Sequence, residues 1–297
     1  MKKIGIIANI DRDADYSYTK KLTESIIGQG GTALITDENS PVKSLGGICC
    51  SEEEFLNKCE AIVCLGGDGT FLRVAQKVYD KDIPILGINL GNLGFLTEID
   101  RTEIEQAVKL LIENKFQIEE RMMLQATVFR KDKEPVTDTA FNDVVITRGA
   151  VSRIIHIKAY INDAFIDSFP GDGVIISSPT GSTAYSLSAG GPIVDPDTEL
   201  MLITPICPHI LYSRSIVVKA DSVIKAIPDE DFQHNAIVAL DGERSYEIRG
   251  GDLVQVIQSP YKIKLINIKS RNFFSILRKK IYYRGESLKK DEIQQTC

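Results

Sequence analysis

An α/β N-terminal domain with a parallel sheet, followed by a β-rich C-terminal domain, is the fold class the sequence predicts. Three observations lead there. The chain has 297 residues, and one hydrophobic core stops growing at roughly 250–300, so two domains are expected. Strand-like and helix-periodic runs alternate through the first hundred residues, the pattern of a parallel sheet covered by helices. Past about residue 121 the helical period gives way to short runs rich in β-branched residues. The expected division is 1–121, 122–268 and a tail of 269–297.

Lys3 to Asn9 is apolar and predicts a first buried strand. A helix over Tyr18 to Gln29 follows, stopped by Gly30-Gly31. Thr32 to Thr36 is a short strand. Ser51, with Glu54 three residues on, predicts a capped helix. Glu60 to Leu65 is a strand, Phe71 to Tyr79 a helix and Ile83 to Asn89 a strand. Thr102 with Glu105 predicts a second capping box, opening a helix through Glu113 whose apolar face is Ile104, Ala107, Leu110 and Leu111. In the second domain Met122 to Arg130, Phe141 to Arg148, Arg153 to Ile161, Phe165 to Phe169 and Gly173 to Ser177 read as strands. Asn162-Asp163 reads as a hairpin turn. Ser215 to Lys219, Ser222 to Ile227, Ala236 to Leu240, Leu253 to Gln258 and Tyr261 to Ile268 continue the series. One helix fits in this region, near Ser182 to Ala189. The tail carries eight basic residues and one acid, Glu286, between Lys269 and Lys290. Its Phe273, Phe274, Ile276, Leu277 and Ile281 recur at helical spacing. That favours an amphipathic helix docked on the body over a nucleic-acid arm.

Hydrophobic residues make up 43% of the chain and charged residues 26%, which excludes global disorder. The net charge is -6, and a mildly acidic chain is a poor general binder of nucleic acid. No apolar run reaches the roughly 18–20 residues a membrane helix needs. The opening apolar stretch ends at Asn9, before Asp11, Arg12 and Asp13, which is too short for a secretion signal. Cytoplasmic residence without nucleic acid or membrane as partner is therefore expected. The six cysteines form no C-x-x-C pair, so neither a disulfide framework nor a zinc site is expected. Cys207-Pro208-His209 sets a sulfur beside an imidazole, but two ligands are too few for a metal.

Gly66-Gly67-Asp68-Gly69-Thr70 is the sharpest local feature. It follows a strand and precedes a helix, so it lies at the carboxyl edge of a parallel sheet, where such sheets bind ligands. The glycines allow close backbone approach, and the amides opening the helix favour an anion. The turn is neither a Walker A loop nor a dinucleotide G-x-G-x-x-G. A carboxylate there repels phosphate unless a metal lies between or unless it faces a hydroxyl. Both point to phosphoryl transfer, with Asp68 orienting or deprotonating the attacking hydroxyl. The competing reading is a helix N-cap. A second glycine-rich stretch, Gly87 to Leu96, leaves the next strand at the same edge. A third runs from Gly171-Asp172-Gly173 through Ser177-Ser178-Pro179-Thr180-Gly181-Ser182-Thr183-Ala184-Tyr185 to Gly191. Its small hydroxyls suit hydrogen bonds to a nucleotide, and Tyr185 offers a ring to adenine.

Taken together these residues resemble the NAD kinase family of bacterial type, dependent on ATP or polyphosphate. The carriers are Gly66 to Leu72, Gly91 to Leu96, Asn142-Asp143, Asp172-Gly173 through Gly191, and Pro205 to His209. The likeness spans about residues 2 to 285. The first motif is shared with lipid kinases and, more loosely, with phosphofructokinases. The resemblance implies the NAD kinase / diacylglycerol kinase-like fold, with the tail returning to the N-terminal domain. It implies phosphoryl transfer from ATP to the 2′-hydroxyl of the adenosine ribose of NAD, giving NADP. Asp68 would be the proton acceptor, Gly69 would admit the substrate and Arg73 would face phosphate. Asn92 and Phe95 would line the adenine side, Asn142 and Asp143 would hold ribose hydroxyls, and Arg153 would lie nearby. Asp172 would meet the nicotinamide end. Thr180, Thr183, Ala184, Tyr185, Ser186, Leu187 and Ser188 would surround the adenine, and Asp241 and Glu243 would mark a further contact. A divalent cation, magnesium, bridging the donor phosphates is implied, as is a homodimer or homotetramer with sites at the subunit boundary.

Two positions depart from the family pattern. Pro170 stands where many relatives have a basic residue, and Glu243 where an amide is common. Both bear on affinity and on the choice between NAD and NADH. Two rival readings stay open: a lipid kinase of diacylglycerol or sphingosine type, and a silent NAD-binding sensor.

Overall fold

A computed structural model describes residues 1–36, 40–91, 93–97, 99–131, 133–149, 153–269 and 273–282. Its contacts divide the chain into two units. The first is Met1–Glu119 with the segment from Lys264 onward, and the second is Glu120–Ile263.

In the first unit, β1 (Lys3–Ala8) leads to α1 (Ser17–Gly28), β2 (Thr32–Ile35), β3 (Ile48–Cys49) and α2 (Glu52–Lys58). Then come β4 (Ala61–Gly66), α3 (Asp68–Val78), β5 (Ile85–Asn89), β6 (Ile99–Asp100) and α4 (Ile104–Ile112). All strand pairs are parallel, in the order β3-β2-β1-β4-β5, with β6 against β5. β4 is central and every residue of it is buried, as a strand with helices on both faces requires. α1 buries Thr19, Leu22, Thr23 and Ile26, one face at i, i+3, i+4 and i+7. Leu22 and Ile26 are fully buried, each contributing about 1.5–3 kcal/mol. Buried Asp13 starts the helix: its carboxylate accepts the N–H groups of Tyr18 and Thr19, both at 2.9 Å. Ser51 and Glu54 form the expected capping box on α2.

The box expected from Thr102 and Glu105 is instead Asp100 with Glu103. Asp100 Oδ1 accepts the Thr102 N–H at 2.9 Å and its hydroxyl at 2.7 Å. Thr102 is thus held by the cap rather than serving as one, and a 3-10 turn precedes α4. The buried face of α4 uses Val108 beside Ile104, Ala107 and Leu111, because Val108 rather than Leu110 completes the i, i+3, i+4, i+7 stripe.

The second unit is β-rich. It contains β7 (Gln117–Arg130), β8 (Lys133–Ala140), β9 (Asp143–Arg148), β10 (Ile155–Ile161), β11 (Ala164–Gly171) and β12 (Gly173–Ser177). A 3-10 turn, Thr180–Thr183, and a single helical turn, α5 (Tyr185–Ser188), follow. β13 (Leu200–Ile206), β14 (Ile216–Lys219), β15 (Ile224–Pro228), β16 (Ala236–Leu240), β17 (Arg244–Ile248) and β18 (Leu253–Asn267) complete it. One antiparallel sheet runs β14-β13-β12-β9-β16-β17, and β11-β10-β15-β18 make another with β7 and β8. One core joins alternate residues of both, among them Leu124, Val144, Ile146, Ile157, Ile176 and Val238. Asn162 and Asp163 turn the β10–β11 hairpin with φ 49° and 68°, the left-handed pair that a two-residue hairpin needs.

Leu253 to Gln258 and Tyr261 to Ile268 are one continuous strand rather than two, and its last residues, from Lys264, belong to the first unit, where Leu265 pairs with Ile85. The expected strand from Phe141 begins at Asp143, for a reason given below. β8, β13 and β17 have no counterpart in the sequence reading. The tail forms α6 (Phe273–Tyr282). Ile276 is buried, whereas Phe274 is 51% exposed. The side chain of Ile281, like the tail beyond Tyr282, lies outside the described residues.

Candidate functional site

β4 ends at Gly66, where a Cβ would collide with the Thr70 side chain. Gly67 caps α3 and Asp68 is the first residue of the helix. The N-cap reading of Asp68 is thereby corrected, and its carboxylate is used elsewhere. Oδ2 accepts the Phe95 N–H at 2.9 Å and Oδ1 accepts the Leu96 N–H at 3.0 Å, with the Thr97 hydroxyl at 3.4 Å. Charge-assisted bonds of this kind orient both oxygens. Gly94 makes the approach possible, because a Cβ there would overlap Asp68 Oδ1. Asn9 Nδ2 donates to Thr70 Oγ1 at 3.1 Å, tying the end of β1 to the turn. The Asp68 side chain stays 31% exposed, so a partner can reach it.

Two cations stand beside this turn. A Cβ on Gly67 would lie 3.3 Å from Arg12 Nη1 and one on Gly91 2.7 Å from it. The Arg12 guanidinium therefore rests on both glycine turns. Lys280 of α6 places Nζ 3.7 Å from Asp68 Oδ2 and 4.3 Å from the centre of the Phe95 ring. Phe273 packs beside that ring at 5.9 Å. A carboxylate open to a hydroxyl thus sits at a helix N-terminus, with Lys280 beside it and Arg12 on the adjoining glycine turns, an arrangement suited to accepting a proton near an anionic ligand. Cys64, behind the turn in β4, has its thiol pushed up to about 12 by burial. It packs rather than reacts.

In the second unit, strand periodicity makes a pocket. Val144 and Ile146 of β9 point into the core, so Asp143, Val145 and Thr147 face the other way. With Asn142, Tyr185 and Asp241 they line a cavity of about 370 Å³. Asp241 organises its mouth from a left-handed backbone, φ 52°. Its carboxylate accepts the N–H groups of Phe141 at 2.8 Å, Asn142 at 2.7 Å and Asp143 at 3.1 Å. The amides of Phe141 and Asn142 are spent on a side chain, so β9 starts only at Asp143. From the other side the Ser178 N–H donates to the Asn142 carbonyl at 2.9 Å, and the Ser178 hydroxyl donates to Phe141 O at 2.6 Å. A Cβ on Gly181 would overlap that Asn142 carbonyl. Burial first and the Asp241 charge second raise the Asp143 carboxyl to about 7. Near neutrality it can therefore either donate or accept a hydrogen bond.

The sequence-derived site residues divide between the two units. Asp68, Gly69, Arg73 and Phe95 lie in the first, with Arg73 exposed on α3. Asn92 lies outside the described residues. Asn142, Asp143, Ala184, Tyr185 and Asp241 share the pocket of the second. Ser186 bonds Thr204 Oγ1 at 3.0 Å, and Thr183 Oγ1 donates to Thr180 O at 3.2 Å. Thr180 Oγ1 is buried without a partner among the described residues. Leu187 is half-buried, while Ser188, Arg153 and Glu243 are exposed. Arg148 Nε donates to Asp172 Oδ1 at 2.7 Å. The sequence reading missed Arg12, Arg148 and Lys280. Arg12 stood in a plainly polar loop and Lys280 on a basic face, and no local pattern marks either. No three His, Cys, Asp or Glu side chains group as a metal cage among the described residues.

Comparison with known proteins bears on what this arrangement does. The ATP-NAD kinase N-terminal domain matches residues 4–116 and the ATP-NAD kinase C-terminal domain residues 141–268. An NAD kinase of Acetivibrio thermocellus is 51% identical over 289 residues, covering 97% of this chain and 100% of its own. One from Ruminiclostridium cellulolyticum is 46% identical, covering 96% and 100%. Among solved structures, yeast NADH kinase complexed with NADH superposes with a TM-score of 0.84 at 25% identity, covering 98% of this chain and 90% of its own. An NAD kinase from Archaeoglobus fulgidus in complex with ATP gives 0.75 at 25% identity, covering 94% and 98%.

Proposed function

The chain belongs to the ATP-NAD kinase family, and from that membership we propose how its residues divide the reaction of an NAD kinase. ATP is the donor and the 2′-hydroxyl of the adenosine ribose of NAD the acceptor. Asp68 takes the proton of that hydroxyl. The oxygen–phosphorus bond forms as the bond to the β,γ-bridging oxygen breaks, leaving NADP and ADP. Arg12 and the amides opening α3 hold the donor phosphates. Asn142 and Asp143 hold ribose hydroxyls, a diol being matched by paired polar groups, and Tyr185 lies against the base. Asp241 positions Asn142 through the amides it accepts. One observation carries the reading: the Asp68 carboxylate is held at the carboxyl end of β4 by the amides of Phe95 and Leu96, with its side chain still open.

A divalent cation, magnesium, would neutralise the donor phosphates. Magnesium keeps water and phosphate ligands and takes one or two carboxylates. Such a cation needs no dedicated protein cage, since substrate phosphates and water would hold it, which leaves the Asp68 carboxylate to take the proton. The protein acts in the cytoplasm as a homodimer or homotetramer. Among the described residues no helix is long and apolar enough to cross a membrane. The reported relatives are all NAD or NADH kinases, and none supports a lipid acceptor.

Purified protein incubated with magnesium, ATP and NAD should form NADP. Parallel reactions with polyphosphate in place of ATP, NADH in place of NAD, and a dispersed lipid as acceptor define donor and acceptor. NAD binding without turnover would instead identify a sensor.

A further inference from the structure

Building on the kinase reading above, we propose that Lys280 is a catalytic residue, supplied by the tail helix, whose ammonium bears on the transferring phosphoryl group. α6 seats on the first unit through buried Ile276 and through Phe273 beside Phe95. That seating leaves the Lys280 ammonium over the Phe95 ring and 3.7 Å from Asp68 Oδ2. A charge-assisted N–H···O bond closes to about 2.7–2.9 Å. At 3.7 Å the ammonium is attracted to the carboxylate without being bonded to it. Its side chain is 32% exposed, so an incoming oxygen anion can reach it.

The charges in the reaction then balance locally. As the ribose oxygen bonds to phosphorus, its proton passes to Asp68, whose carboxylate becomes neutral. The bond from phosphorus to the bridging oxygen breaks and ADP keeps the electron pair. Lys280 loses its anionic neighbour at the moment the phosphoryl and leaving oxygens carry the charge. A cation already in place stabilises that state without reorganisation.

Lys280→Met keeps the apolar stem on Phe95 and removes the charge. Its kcat should fall roughly 10²–10³-fold, as when one preorganised donor is lost, while NAD affinity by calorimetry stays within about twofold. Lys280→Arg should recover most of the rate. Lys280→Ala should regain activity with rising methylammonium but not with methanol. Ile276→Ala, which loosens only the docking, should gain nothing from the amine. The amine arm decides the matter even if Lys280→Ala melts early, because an added cation restores charge and not packing. A Lys280→Met kcat within about threefold of wild type would overturn the proposal. So would a loss confined to NAD affinity, or an alanine variant indifferent to the amine. Failure of the kinase reading is distinct: the unaltered protein would then make no NADP.

Discussion

Asp68→Asn leaves one side-chain oxygen for the amides of Phe95 and Leu96 and removes the proton acceptor. NAD binding should survive while kcat falls about 10²–10⁴-fold, the usual cost of a lost general base. Near-normal turnover of the purified variant would refute the role given to Asp68. Asn142 has its backbone pinned on both sides, by Asp241 and by Ser178, so its side chain can be changed without moving the strap. Asn142→Ala should weaken NAD binding roughly 5- to 150-fold, since a buried polar partner left unpaired costs about 1–3 kcal/mol. Calorimetry reads this directly. Asp143 gives a pH signature in stability. Burial and Asp241 raise its carboxyl from 3.8 to about 7, so the folded state binds the proton more tightly than the unfolded state. Its contribution is fully present below about pH 4 and is lost as the pH rises through 7. Asp143→Asn, which cannot ionise, should therefore gain in melting temperature relative to wild type as the pH is raised from 4 to 8. A difference that does not change with pH would contradict the burial of the charge.

The loop from Gly91 to Thr97 shows how an element is chosen by what it must approach. Gly94 faces the Asp68 carboxylate, and Gly87 lies under Leu96 and Thr97. Gly94→Ala must push either the loop or Asp68 aside, so turnover should drop at least about tenfold while the chain still melts cooperatively. Wild-type kcat in Gly94→Ala would show that the approach is unimportant. The sequence carried the helices here because their apolar stripes repeat over two or three turns. It failed on β8, β13 and β17 for identifiable reasons. β8, Lys133–Ala140, is exposed over its first three residues and carries Pro135, so its alternation is blurred. β13, Leu200–Ile206, is buried on both faces and does not alternate at all. In β17 the polar residues of Arg244–Ile248 pair with β16 through backbone bonds that composition does not reveal.

At the scale of the whole molecule, the resemblance implies sites built at the subunit boundary, with Asp172 serving a neighbouring copy and Asp68 its own. Asp68→Ala and Asp172→Ala should each be inactive alone, and the two can then be refolded together. About half the dimers should be mixed, and in each of these one site carries both defects and the other neither. Activity should return to roughly one quarter of wild type. No recovery in proven mixed dimers would place Asp172 in its own chain's site and leave the kinase assignment standing.

Local periodicity and turn chemistry were determined by the sequence itself: the alternation of strand and helix before residue 121, the β-rich remainder, and the glycine turn at a strand end. These depend on side chains a few residues apart, whose directions follow from backbone geometry. The motif residues Asp68, Asn142, Asp143 and Tyr185 were legible for the same reason, since each stands in a short run of constrained types. Only the tertiary structure decided what those residues touch. It turned Asp68 away from capping α3 and toward the amides of Phe95 and Leu96, and made Asp241 a holder of three amides. It also brought Arg12 and Lys280, from near the two ends of the chain, to the same turn. Such contacts depend on closing long loops around a packed core, and no pattern among neighbouring residues records where a distant charge will come to rest.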